Sequence, residues 1–157
     1  MSGALPNYTY RSARALLLLH ERELRHLIEV WRKAKAANIP LPVTDDPDYE
    51  SLDHLLFHIL RAARGYMTWM CEQLGLPDPQ IDPPPSPATV DVEAELYAEY
   101  LLNKWRTPLA EVPEERFSDK TYASRWGVHY CIDAMLEHAV VHPLRHAFQL
   151  EELLNGK

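Results

Sequence analysis

The chain is short of cysteine, of positive charge and of long apolar runs, and each shortage narrows what it can be. Its two cysteines, Cys71 and Cys131, are too few for a disulfide scaffold, and neither has a Cys-x-x-Cys partner. Lys and Arg number 16 against 23 Asp and Glu, a formal charge of −7 with a pI near 5.6. Nucleic acid is therefore not expected as a main partner, because phosphate binding needs a basic surface. The most apolar run, Leu16 to Leu19, is closed in by Arg14, Glu21 and Arg22. It falls far short of the ~20 residues a spanning helix needs, so no membrane role is expected. No secretory signal opens the sequence, which sets the expected location as a reducing cytoplasm. His-Glu-x-x-His is missing, which argues against a zincin protease. There is neither an internal repeat of fixed period nor a low-complexity tail.

What remains is an ordinary globular composition, 46% hydrophobic over 157 residues, enough for one domain spanning 1–157 with a real core. The apolar residues recur with helical period. A first helix is predicted from about Tyr8 to Ala37, with Leu16, Leu19, Leu24, Leu27, Ile28 and Trp31 on one stripe. Residues 1–7 read as a loose terminus, and Pro42 to Tyr49 as a loop rich in Asp and Pro. A second helix should start at Ser51, a good N-cap, and run to Leu74, with Gly75 as the residue that ends it. Pro77 to Pro87 makes a stiff, extended connector. A third helix is predicted from Val92 to Ala110, although Pro108 should kink it or end it early. Val112 to Gly127 looks irregular, with a weak hairpin pattern over Phe117 to Trp126. A fourth helix should cover Tyr130 to Leu154, with Pro143 inside it. Four apolar stripes need mutual burial, which implies an all-α antiparallel four-helix bundle with a long connector between helices two and three.

The histidines carry the chemistry. His138, His142 and His146 recur every four residues on the fourth helix, and His54 and His58 do so on the second. Side chains four apart stand one above the other on one helix face, so two imidazoles can point at one ion. Helical phase puts His58, His142 and His146 at or near the apolar stripes, while His54 and His138 turn further toward solvent. Three neutral imidazoles leave a coordination position open, which is the catalytic pattern; structural sites close the shell with four protein ligands. That position can take water and lower its pKa to ~7, or hold a thiol as thiolate. Against this stands the plainer fact that a lone His-x-x-x-His is weak evidence, since many surface histidines do nothing.

Leu55-Leu56-Phe57-His58, together with His142-Pro-Leu-Arg-His146-Ala-Phe-Gln149, resembles the DinB/YfiT-like family over nearly the whole chain. That resemblance implies a four-helix bundle in which His58, His142 and His146 bind zinc or nickel. It also implies metal-dependent thiol chemistry on a small-molecule substrate, such as transfer of bacillithiol-type thiols or mycothiol-dependent isomerisation, and commonly a homodimer. Two features depart from relatives. Pro143 lies between the helix-four histidines, and Phe148 stands where sulfoxide-synthase domains carry Glu, which argues against the iron-oxidase branch.

Other residues carry weaker signals. Tyr66, Trp69, Tyr100, Trp105 and Trp126 could line a pocket, but such aromatics are more often core. Arg145 falls on another face and should be solvated. Glu137 and Glu151 could support a ligand or act as a base, yet most helical glutamates are surface groups. Cys71 and Cys131 read as inert rather than reactive thiols. Catalytic residues are not readable from the sequence. The function classes in contention are a thiol transferase, a metal-dependent hydrolase, and a metal-binding helical module without chemistry.

Overall fold

Four long helices carry most of residues 4–156, the part of the chain described by the computed structural model. They are α1 (Arg11–Ala36), α2 (Leu52–Leu74), α3 (Val90–Trp105) and α4 (Ile132–Leu154). The only strands among the described residues are β1 (Tyr122–Ala123) and β2 (His129–Tyr130), paired antiparallel. The class is therefore all-α, as expected from the helical period. Helix α1 packs most extensively on α4 and also touches α2 and α3, while α2 touches both α3 and α4. Buried apolar residues of all four helices join in one cluster that includes Leu24, Trp31, Leu56, Met67, Leu101 and Leu136. No helix among the described residues is long and apolar enough to cross a membrane.

Local chemistry explains where the helices stop. Ser51 caps α2 with its Oγ accepting from the His54 N–H at 3.1 Å, worth about 1 kcal/mol by comparison with similar caps. Gly75 ends the helix at φ 68°, a left-handed conformation that costs glycine nothing. Helix α3 ends at Trp105 instead of Ala110 because Pro108 disfavours helical geometry in the residue before it. Helix α1 begins at Arg11, later than Tyr8. The Tyr8 hydroxyl donates to the Arg106 carbonyl at 2.6 Å and the Thr9 N–H to the Ala110 carbonyl at 2.9 Å, which ties this segment to the chain after α3. Leu5 also packs on the core, so the expected loose terminus does not extend to it; residues 1–3 lie outside the described part. Helix α4 begins at Ile132 because Tyr130 is taken by the hairpin, paired with Tyr122.

Two large buried side chains satisfy their polar atoms on helix backbones. Trp31 Nε1 donates to the Leu52 carbonyl at 2.7 Å, and Trp105 Nε1 to the Ala63 carbonyl at 3.1 Å. Both indoles thus pin α2, Trp31 near its start and Trp105 at its middle. Trp105 is core and Tyr100 binds the connector, its hydroxyl accepting from the Asp82 N–H at 2.9 Å, so neither lines the histidine site. Buried Glu21 takes a two-pronged contact from Arg106 at 2.7 and 2.9 Å, which offsets the cost of burying its charge. Its neighbour His20 is different. It is 1% exposed, stacked on Trp105 at 3.8 Å, and both ring nitrogens lack a partner. Burial pushes its pKa down to about 3.

Candidate metal centre

The contact between α2 and α4 brings His58 together with His142 and His146. One ring nitrogen from each lies within 4.8 Å of the other two, a grouping that can hold a metal ion. His58 Nε2 stands 3.0 Å from His142 Nε2, and the His142 and His146 rings meet edge-on at 4.8 Å between centroids. Pro143 sits inside α4 between these two histidines, and the helix continues through it. Proline supplies no N–H there, so the carbonyl one turn back loses its helical donor.

The other face of each outer histidine is held by a neighbour. His146 Nδ1 lies 2.8 Å from Gln149 Oε1, an oxygen that also accepts from the Tyr49 hydroxyl at 3.3 Å. An amide oxygen only accepts, so Nδ1 of His146 carries the proton and its Nε2 lone pair is bare. Asp48 Oδ2 lies 3.0 Å from His58 Nδ1, although the approach is too oblique for a well-formed hydrogen bond. The carboxylate again favours a proton on Nδ1 and a bare Nε2. Asp48 is itself positioned by a short 3-10 turn, Pro47–Tyr49, where Asp46 Oδ1 accepts from the Asp48 N–H at 2.9 Å and Pro47 sets the backbone. A carboxylate or amide behind a ligating imidazole is the usual way such rings are oriented and made more basic.

Burial keeps all three rings neutral. It lowers the pKa of His142 to about 2, helped by the neighbouring His146 and His58. It lowers His58 too, partly offset by the Asp48 carboxylate, and His146, partly offset by the Gln149 contact. Metal ligands must be neutral imidazoles, and all three rings are already neutral. The spacing also fits. Two nitrogens bound to one tetrahedral zinc at ~2.0–2.1 Å stand roughly 3.3 Å apart, close to the 3.0 Å between His58 and His142. Three imidazoles without a carboxylate or thiolate suit zinc or nickel better than calcium or magnesium.

His54 takes no part in the cluster. Its Nδ1 lies 2.8 Å from the Ser51 hydroxyl and its Nε2 3.3 Å from Glu50, so it belongs to the cap of α2. His138 is also outside the cluster and, as helical phase indicated, lies further out than His142 and His146, although it is half-buried. It stacks on Trp126 at 5.3 Å and on His142 at 6.4 Å, and forms a wall of a cleft of about 510 Å³ that opens beside the metal ligands. Burial lowers its pKa, with Arg145 adding to the effect. Tyr66, Trp69 and Trp126 line the same cleft. A larger groove of about 710 Å³ between the connector and α3 contains no histidine.

The remaining candidates fall into place. Arg145 is exposed, as expected. Glu151 pairs with His26 at 2.9 Å on the surface, and Glu137 is exposed. Cys71 is buried, and its thiol pKa is pushed up to about 11, which makes it a poor nucleophile. Asp48 and Tyr49 are what helical phase missed, because they lie in a loop. The signal was present as Asp46-Pro47-Asp48, a turn-forming run placed just ahead of the first histidine helix.

Asp48→Asn should weaken zinc affinity by ~10–100-fold without changing the stoichiometry, the range seen when a ligand's supporting group is lost. Competition with a chromogenic chelator at pH 7.5 reads this directly. Unchanged affinity would reduce Asp48 to a surface partner of Arg61, whose Nη2 lies 3.5 Å from it.

Comparison of the chain with protein-family models, with curated proteins and with solved structures finds no match.

Proposed function

We propose that the chain is a metal-dependent enzyme that activates or transfers a low-molecular-weight thiol, built as an antiparallel four-helix bundle of the DinB/YfiT-like class. The observation that carries this reading is a cluster of three neutral imidazoles, His58, His142 and His146, of which His58 and His142 line a cleft with aromatic walls. Three protein ligands with adjoining space suit a catalytic ion; a structural ion would be enclosed. When bound, zinc or nickel would supply Lewis acidity toward a sulfur or oxygen donor.

The protein's own groups account for the rest. Asp48 and Gln149 hold the His58 and His146 rings in place. Tyr66, Trp69 and Trp126 exclude water from the cleft and pack against an apolar substrate. His138 is neutral and lies in the cleft wall, so its imidazole can relay to solvent the proton that the thiol gives up. Hydrolysis is the alternative at the same position, and the Tyr66, Trp69 and Trp126 walls favour a thiol over water. A metal-binding module without chemistry is the third reading.

Zinc- or nickel-loaded protein, offered glutathione, cysteine or bacillithiol with 1-chloro-2,4-dinitrobenzene, should form the aryl thioether. The S–C bond forms, the C–Cl bond breaks, chloride leaves, and the thiol proton passes by way of the His138 imidazole to solvent. Chelation should return the rate to background. A rate indifferent to chelation, or no thioether with any thiol, would sink the transferase reading.

A further inference from the structure

The cleft carries a feature that metal binding does not use. Arg125, at the turn of the hairpin, lies against α2 at Gly65. A Cβ placed on Gly65 would stand 3.1 Å from Arg125 Nη1, tighter than ordinary contact, so the missing side chain gives the guanidinium its seat. Glycine inside a helix costs roughly 1 kcal/mol relative to alanine, a cost that calls for a reason. The hairpin that brings Arg125 there is itself anchored, since Trp69 Nε1 donates to the Ala123 carbonyl at 3.0 Å.

The Arg125 side chain makes no hydrogen bond or ion pair among the described residues, in a chain of net charge −7. The other arginine of the cleft, Arg61, is committed to Asp48 at 3.5 Å and lies over the Phe57 ring. Between Arg125 and the histidines the walls are flat and aromatic. Tyr66 and Trp126 stand at 6.3 Å and nearly perpendicular, and Trp126 is 48% exposed at the mouth. Aromatic walls by themselves would accept a cation or a flat apolar body. Two guanidinium groups in the same lining repel a cation and leave the second.

Distance sets the length of the occupant. Gly65 follows His58 by seven residues on one helix, which is about 10 Å along its axis. Resting on the reading of this cleft as the substrate site, we infer that the substrate is a flat, apolar carboxylate. Its anionic group pairs with Arg125, its body lies against the Tyr66 and Trp126 rings, and its reactive end reaches the histidines about 10 Å away.

Biphenyl-4-carboxylate spans that distance, has no thiol, and can be compared with neutral biphenyl-4-carboxamide. Binding is read by quenching of tryptophan fluorescence in zinc-loaded and in chelated protein. The carboxylate should bind ~3–5-fold more tightly than the carboxamide, as expected for one ion pair to an exposed guanidinium. Arg125→Met should abolish the preference and leave zinc stoichiometry unchanged, and Arg125→Lys should restore part of it. Equal binding of the two probes to the unmodified protein, or a preference that survives Arg125→Met, would overturn the inference. A preference that holds in a protein unable to bind zinc would support the anion site and sink the metal reading, so the two failures are distinguishable.

Discussion

His142→Ala is expected to lower zinc affinity by more than ~100-fold, beyond what loss of a ligand's supporting group costs. His142 is the central member of the cluster. It approaches His58 at 3.0 Å between nitrogens and meets His146 edge-on at 4.8 Å between ring centroids. Removing it leaves two imidazoles on different helices, a far poorer site than three. The replacement should leave the fold intact, because His142 is only half-buried and α4 already runs through Pro143 beside it. His58→Ala and His146→Ala should behave in the same way. His54→Ala should leave affinity unchanged, since that ring is occupied at the cap by Ser51 and Glu50. Metal content after dialysis against one equivalent of zinc at pH 7.5 separates the variants. Full occupancy in His142→Ala, or loss confined to His54→Ala, would remove the site from where it is placed.

The second large effect concerns acid. His20 is enclosed in the core without a partner, and its folded pKa falls to about 3. In the unfolded chain it titrates at ~6.5. Between those values the unfolded state binds a proton that the folded state refuses, so stability falls as pH drops. The contribution is fully present above pH 6.5 and is lost progressively on acidification. At pH 4.5 the loss from His20 alone is about 3 kcal/mol, roughly 100-fold in the folding equilibrium. His20→Phe keeps a ring against Trp105 and removes the titration. Urea denaturation of chelated protein at pH 7.5 and 4.5 should show the variant losing less stability than the parent by about that amount. At pH 7.5 the variant should be at least as stable, because two buried unpaired nitrogens are gone. Parallel pH profiles for the two proteins would show that His20 reaches solvent or a partner.

The helices were legible because their signals are local. Ser51 and Gly75 mark the ends of α2 within the sequence itself, and the apolar period marks its face. The helix ends that were misplaced depend on distant partners. Tyr8 and Thr9 are tied to residues 106 and 110, and Tyr130 to Tyr122, contacts that no local pattern reports. The same division runs through the site. Spacing of four and helical phase singled out His58, His142 and His146, which the structure brings together. Phase also set His138 further out than His142 and His146, but it could not report that the hairpin's Trp126 covers the outward-leaning ring. Asp48 and Arg125 lie in segments without period, where placement is set by turn geometry and tertiary contact.

X-ray absorption at the zinc edge, on protein loaded with one equivalent of zinc at pH 7.5, tests the three-histidine centre most directly. The expected result is three imidazole nitrogens at ~2.0–2.1 Å with the shell completed by a light atom from solvent. The scattering pattern of the imidazole rings should weaken in His142→Ala. A shell containing cysteine sulfur, a shell of solvent and carboxylate oxygen without imidazole, or zinc that dialyses away would contradict it.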